Sequence, residues 1–285
     1  MAGHRKITRR QFMKWIAGIG LFGAVGTPLY SFGFERGWLE VTNVSLRLGD
    51  GDGVSPLQGL RLVHFSDIHY GFYWGREQFV ELAERINRLK PDLICFTGDL
   101  VDSVPDDLMN CLSIVQSLEA PYGKFAILGN HDSRHEVNQV VDFWAESGFK
   151  LLINEQVAVE REGRRFIVAG TDDYLNGSPD LPLTLRDTSE DDTVIMLIHE
   201  PDIADVCALS YPQVKLQLSG HSHGGQVRLP LLSALATPPA GKKYVSGLYW
   251  LGDRKMPLYT TRGIGTTGLP IRLFCRPELT VMGFV

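Results

Sequence analysis

Apolar and polar positions follow one repeating arrangement along most of this chain: a short apolar run, an abrupt polar ending, then a helix-like interval. The run in "LRLVHFSDIH" ends in Asp67 and His69, and the run in "PDLICFTGDLVD" ends in Asp99 and Asp102. "GKFAILGNHD" ends in Asn130, His131 and Asp132, and "TVIMLIHEPD" ends in His199. A fifth run, residues 214–218, leads through "SGHSHGG" to His221 and His223. Of the intervals, residues 76–90 place Phe79, Leu82, Ala83, Ile86 and Leu89 on one helical face. Residues 134–147 do the same with Val137, Val140, Val141 and Trp144, and Gly148 follows as a stop. Near-continuous apolar strands separated by helices predict a sheet buried on both faces. In such sheets ligands gather at the carboxyl ends of the strands, where each run delivers its polar residues. Further on, "KYVSGLYWL" and "MPLYTTRG" flank Gly252-Asp253 and predict a hairpin.

His221 and His223 are two residues apart. In an extended segment that spacing projects both side chains to one side, so the pair is expected to leave its strand pointing together. With them, Asp67, His69, Asp99, Asn130 and His199 form a set of imidazole, carboxylate and amide donors without a thiolate. That set suits Mn, Zn, Fe or Co and argues against iron–sulfur clusters. Seven donors are too many for one ion and suit two, which hydrolases hold about 3.5–4 Å apart. The cysteines, Cys95, Cys111, Cys207 and Cys275, form no Cys-x-x-Cys pair and read as buried free thiols.

Charge divides the chain unevenly. Residues 1–34 hold Arg5, Lys6, Arg9, Arg10 and Lys14 and no acid, which leaves the remainder at 23 basic against 33 acidic residues. A body that negative is a poor nonspecific nucleic-acid binder, so no nucleic-acid partner is expected. Anionic substrates remain open to it if bound cations reverse the local field. From Trp15 to Phe34 no residue is charged. Twin arginines ahead of such a stretch resemble the twin-arginine export signal of bacteria. The 20 residues also approach the span of a bilayer. Residues 1–36 are therefore expected to be an export signal, cleaved or retained as an anchor through residues 15–34, with residues 37–285 as one domain. The domain would then lie in the periplasm or on the outer face of the cytoplasmic membrane, the alternative being a membrane-associated cytoplasmic enzyme.

The motifs D-x-H (67–69), G-D-x-x-D (98–102), G-N-H-D (129–132), a lone His199 and G-H-x-H (220–223) resemble, in order, those of the calcineurin-like metallophosphoesterases. The resemblance implies an α/β fold of two packed mixed β-sheets flanked by helices, in four αββα layers. It implies that Asp67, His69 and His223 bind one divalent ion, that Asn130, His199 and His221 bind another, and that Asp99 bridges them. It further implies that His131 is the acid or substrate-binding group, oriented by Asp102. The expected reaction is hydrolysis of a phosphodiester or phosphoanhydride by a metal-bridging hydroxide. Alternatives are a membrane-associated pyrophosphatase of the kind that cleaves UDP-diacylglucosamine, a phosphomonoesterase, and a non-catalytic metal-binding scaffold. Where protein-phosphatase members carry Arg-Gly after G-D-x-x-D, this chain has Ser103-Val104, and it reads G-N-H-D rather than G-N-H-E. The missing arginine argues against a phosphoprotein phosphatase and points to Arg262, in "TTRGIG", as the replacement phosphate clamp.

Overall fold

The computed structural model describes residues 8–48, 55–105, 107–134, 137–229 and 233–285. Arg5 and Lys6 lie outside these, as do residues 135–136 within the helix expected over 134–147. The chain runs through α1 (Arg9–Gly33), β1 (Glu40–Leu46), β2 (Arg61–Phe65), α2 (Arg76–Arg88), β3 (Leu93–Thr97) and α3 (Leu112–Gln116). It continues through β4 (Lys124–Ile127), α4 (Val137–Ser147), β5 (Lys150–Leu151), β6 (Glu155–Arg161), β7 (Arg164–Gly170) and α5 (Leu181–Thr184). Next come β8 (Val194–Leu197), α6 (Ala204–Ser210), β9 (Val214–Ser219), β10 (Arg228–Leu229) and β11 (Ser233–Ala234). Last are β12 (Gly247–Leu251), β13 (Met256–Thr260) and β14 (Glu278–Phe284).

The main strands build two mixed six-stranded sheets, in the orders β1-β14-β2-β3-β4-β5 and β12-β13-β9-β8-β7-β6. β2, β3 and β4 are parallel neighbours in the first, and β7, β8 and β9 in the second. Both faces of these strands are covered, so they are mostly apolar, β9 with Lys215 and Gln217 being the exception. Leu62, Leu93, Ile127, Val168, Ile195 and Leu218 fill the space between the sheets. On the outside of the first sheet, Phe79, Leu82 and Ile86 of α2 and Phe143 and Trp144 of α4 pack against Val63, Ile94 and Phe96. On the outside of the second, Ala204 and Cys207 of α6 cover Val194 and Met196. The four-layer αββα architecture is therefore present. Gly148 takes φ +78 and ends α4 as expected. The predicted hairpin forms between β12 and β13, with Leu251 opposite Met256. All four cysteines are buried and unpaired.

Residues 9–33 are helical, but among the described residues no helix is long and apolar enough to cross a membrane. Gly18, Gly20, Gly23, Gly26 and Gly33, with Thr27, Pro28 and Ser31, dilute the apolar content of the stretch. Its last turn is docked on the body. Ser31 and Glu35 are buried, the Arg272 amide donates to Ser31 O at 3.2 Å, and the Cys275 amide donates to Glu35 Oε1 at 2.7 Å.

The sheets approach most closely where β7 passes β4. A Cβ on Gly170 would meet the Ile127 side chain and lie 2.7 Å from Leu152 Cβ. Gly170→Val is expected to cost about 1–3 kcal/mol through overpacking. A denaturation midpoint equal to the wild type's would show that the sheets tolerate separation there.

Candidate metal centre

All seven candidate ligands converge although they come from both sheets. Asp67 and His69 follow β2, Asp99 follows β3 and Asn130 follows β4, whereas His199 follows β8 and the 221–223 pair follows β9. Five of them sit in the left-handed region: Asp67 (φ 54), His69 (φ 48), Asp99 (φ 58), His221 (φ 68) and His223 (φ 51). Each such backbone costs about 1–2 kcal/mol in an L-residue, a strain that collects at functional sites. The chain after β9 is thus not extended. His221 and His223 do not project side by side as expected, but turn to two adjacent clusters.

One cluster joins Asp67, His69 and His223, and the other joins Asp99, His199 and His221, with ligand atoms within 4.8 Å of one another in each. Asn130 Oδ1 lies 2.8 Å from His221 Nδ1, which adds it to the second. Asp99 Oδ2 is 3.2 Å from His199 Nε2 and 3.5 Å from His69 Nε2, so one carboxylate faces both clusters. His69 Nε2 and His223 Nε2 face each other at 3.0 Å.

The outer hydrogen bonds show that these atoms are acceptors turned inward. His199 Nδ1 donates to Thr97 O at 2.6 Å, which leaves Nε2 as a lone pair buried without a hydrogen bond. His221 Nε2 donates to Pro239 O at 2.8 Å, leaving Nδ1 against the Asn130 oxygen. His69 Nδ1 faces Asp102 Oδ1 at 3.2 Å, leaving Nε2 inward. Outer partners of this kind fix the ring and its tautomer in metal-ligating histidines. Buried lone pairs and carboxylates aimed at common points repel one another unless a cation lies among them. The donor set therefore fits divalent metal ions.

The electrostatic surroundings of these histidines agree. Burial opposes charge on His199, yet Asp99 and Asp67 outweigh it and hold its pKa well above the ordinary value. Burial opposes charge on His69 too, and Asp102, Asp99 and Asp67 again prevail. Burial pushes His221 down to about 4, with His199 adding to the effect. The carboxylates around His69 and His199 thus favour positive charge there, and a metal ion competes with protons for the same nitrogens.

His131 lines the pocket above this centre with Asp99, Asn130, His221 and His223. Its Nδ1 is 3.2 Å from Asp102 O and 3.4 Å from Asp102 Oδ1. Asp102 thus touches both His69 and His131. Asp132 touches neither: its carboxylate accepts from the Val101 and Gly129 amides at 3.1 and 3.0 Å and ties the two loops together.

The clamp expected at Arg262 is not where that guanidinium lies. Arg262 is turned to Glu40 at 3.0 Å and Glu278 at 3.2 Å, because these carboxylates compensate a half-buried cation away from the pocket. The arginine that lines the pocket is Arg134, joined there by Asn176. Asn176 Nδ2 donates to Asn130 O at 2.8 Å. Sequence reasoning missed both; the only signal for Arg134 was its place two residues beyond "GNHD". The tail holds a second unforeseen arginine. Arg272 is fully buried and donates to the carbonyls of Arg262, Gly263, Gly265 and Cys275. The loop it staples bonds back to the metal strand, with the Ile264 and Gly265 amides on Ser66 O and Asp67 O at 3.0 and 2.7 Å.

Residues 60–225 match the family model for calcineurin-like phosphoesterases. The chain belongs to this family. The calcineurin-like phosphoesterases similar to it include the uncharacterized metallophosphoesterase YkuE of Bacillus subtilis, 36% identical over 292 residues with 97% of each chain covered. Another is the phosphodiesterase YaeI of Escherichia coli, 31% identical over 288 residues that cover 98% of this chain and 100% of that one.

Because Asp99 faces both clusters, Asp99→Ala is expected to lose most of both metals, whereas His223→Ala mainly weakens one. Elemental analysis that finds two metals still bound to the Asp99 variant overturns the shared-carboxylate geometry. Metal occupancy in the wild type should fall on acidification, as protons return to His69 and His199.

Proposed function

We propose that this phosphoesterase hydrolyses a phosphodiester or phosphoanhydride bond at a centre of two divalent ions, Mn, Zn or Fe. One observation carries the reading: a carboxylate, Asp99, that faces both ligand clusters lines a pocket of about 470 Å³ that also holds His131 and Arg134. When bound, the ion pair supplies an activated water and neutralises phosphoryl oxygens. The chain's own groups supply the rest. His131, held through Nδ1 by Asp102, has its other ring nitrogen available to give a proton to the leaving oxygen. Arg134 has no ion pair within 4.0 Å among the described residues, so its guanidinium can meet a phosphate oxygen in place of the arginine absent at position 103. Asn176 holds the Asn130 backbone in place. The rim residues Leu175, Ala236, Pro238 and Pro239 favour a substrate whose leaving group or second ester is organic. The name of the relative YaeI supports a diester in particular.

A panel of monoester, diester, nucleotide, nucleotide-sugar and nucleotide-lipid substrates, each with Mn, Zn and Mg, tests the proposal. Turnover of monoesters alone overturns the diester reading, and no turnover with both ions bound favours a scaffold. His131→Ala should keep both metals and lose about 10²–10⁴ in rate with alkyl leaving groups, the usual worth of general acid catalysis. The loss should be small with nitrophenolate, which departs without a proton. Equal losses on both substrates would mean that His131 binds phosphate. Arg134→Ala should raise KM about tenfold, equivalent to about 1.4 kcal/mol; an unchanged KM removes it from the substrate site.

For location, we propose export through Arg9 and Arg10, with the domain then acting outside the cytoplasm. Replacing both by Lys should leave active enzyme in the cytosol. An unchanged distribution on fractionation counts against export by this route.

A further inference from the structure

The end of α1 and the segment after it are built inside out. Ser31 and Glu35, the polar residues, face the body and are buried. Leu29, Phe32, Phe34 and Trp38 face outward, with 68%, 43%, 57% and 42% of their surfaces exposed. A helix end that packs on a soluble domain normally does the reverse. The outward rings form two contacting groups. Tyr30 meets Phe34 at 5.8 Å between centroids, Phe34 meets Trp38 at 5.1 Å, and Phe32 meets Tyr73 at 5.9 Å. Two guanidinium groups lie among them: Arg36 is 4.7 Å from the Phe32 centroid and 5.3 Å from that of Tyr73. Arg276 is 3.6 Å from the Trp38 centroid. Neither arginine has an ion pair within 4.0 Å among the described residues.

We infer that this aromatic and arginine collar rests on the headgroup boundary of a bilayer that contains anionic phospholipid. The occupant follows from chemistry and continuity. Amphipathic rings mixed with cations suit the zone where acyl chains give way to charged headgroups, better than they suit a dry protein interface. The uncharged stretch 16–34 runs directly into the collar. Lys14, Arg10 and Arg9 stand at its other end, and Lys14 is about 24 Å from Tyr30 at 1.5 Å per residue. No described residue of α1 before Ser31 is buried against the domain. The contact needs no spanning helix, because the apolar surface lies on the outer face of a docked turn. Glu35 and Ser31 tie that turn to Cys275 and Arg272, so the collar has a fixed orientation on the domain. Tyr73 belongs to the loop that leaves His69, where the Phe72 amide donates to His69 O at 3.0 Å. The metal loop therefore reaches the same surface.

Flotation of the full-length chain with vesicles tests the inference, using phosphatidylcholine alone or mixed with phosphatidylglycerol. The wild type should float with the mixed vesicles. Phe32→Ser/Phe34→Ser/Trp38→Ser should lower the bound fraction about tenfold, and Phe34→Ser alone should lower it measurably if the triple variant folds poorly. Arg36→Gln/Arg276→Gln should lose the preference for anionic vesicles. All variants should keep the wild-type rate on a soluble diester, which is read separately and bears only on the proposed function. Flotation of the single and triple variants equal to wild type overturns the collar and leaves α1 alone in contact. Variants that change self-association in sedimentation without changing flotation assign the face to a second copy of the chain and also overturn it.

Discussion

The interaction on which the rest of this protein depends is mutual repulsion held in place. Inward nitrogens of four histidines and the carboxylates of Asp67 and Asp99 converge within a few ångströms, almost wholly buried. Burial removes the water that would screen them, so only positive charge at the centre makes the arrangement favourable. The surroundings keep the donors from turning away. Thr97 O, Pro239 O and Asp102 hold the outer nitrogens, and the Ser66 hydroxyl and the His221 amide hold Asp67.

The fold supplies the rigidity that such a centre needs. The first sheet alone would present four of the seven donors at its strand ends and the second three; packed face to face, the two bring both sets to one point. The left-handed turns after β2, β3 and β9 are tolerable because the strand ends before them are buried and cannot relax. Close approach matters as well. A Cβ on Gly220 would strike Ser66 and Asp67, so only glycine lets the β9 loop lie against the β2 loop. From the far end of the chain, Arg272 braces the same strand by collecting carbonyls rather than carboxylates. Burial lowers its pKa, and the carbonyls satisfy its donors without adding negative charge beside the metal centre.

The pocket takes its directionality from the chain's charge. A body with ten more acids than bases repels anions, and the exceptions stand where phosphate would arrive: the ion sites, and Arg134 at the rim. Asp102 couples these parts, since one carboxylate touches a histidine of the ligand cluster and His131, which lines the pocket. The docked N-terminal turn exposes Phe32, Phe34 and Trp38, rings that a helix end packed on a domain normally buries.

Much of this was legible in the sequence. Apolar runs ending in His, Asp and Asn mark strand ends whatever the fold, because a strand buried on both faces admits polar residues only where it emerges. That pattern put the seven candidate donors, His131 and Asp102 at strand ends, their roles following from the family resemblance, and the alternation of runs with amphipathic intervals indicated the layered α/β architecture. Tertiary structure decided what depends on direction and distance. Whether His221 and His223 serve one cluster or two depends on backbone dihedrals that spacing does not reveal. Arg262 and Arg134 are equally basic in sequence, and only the positions of Glu40 and Glu278, distant in the chain, turn the first away from the pocket. The uncharged N-terminal stretch read as a span because charge is visible residue by residue. Its insufficient apolar content, and the outward set of its rings, depend on the helix as a whole and on the face it docks.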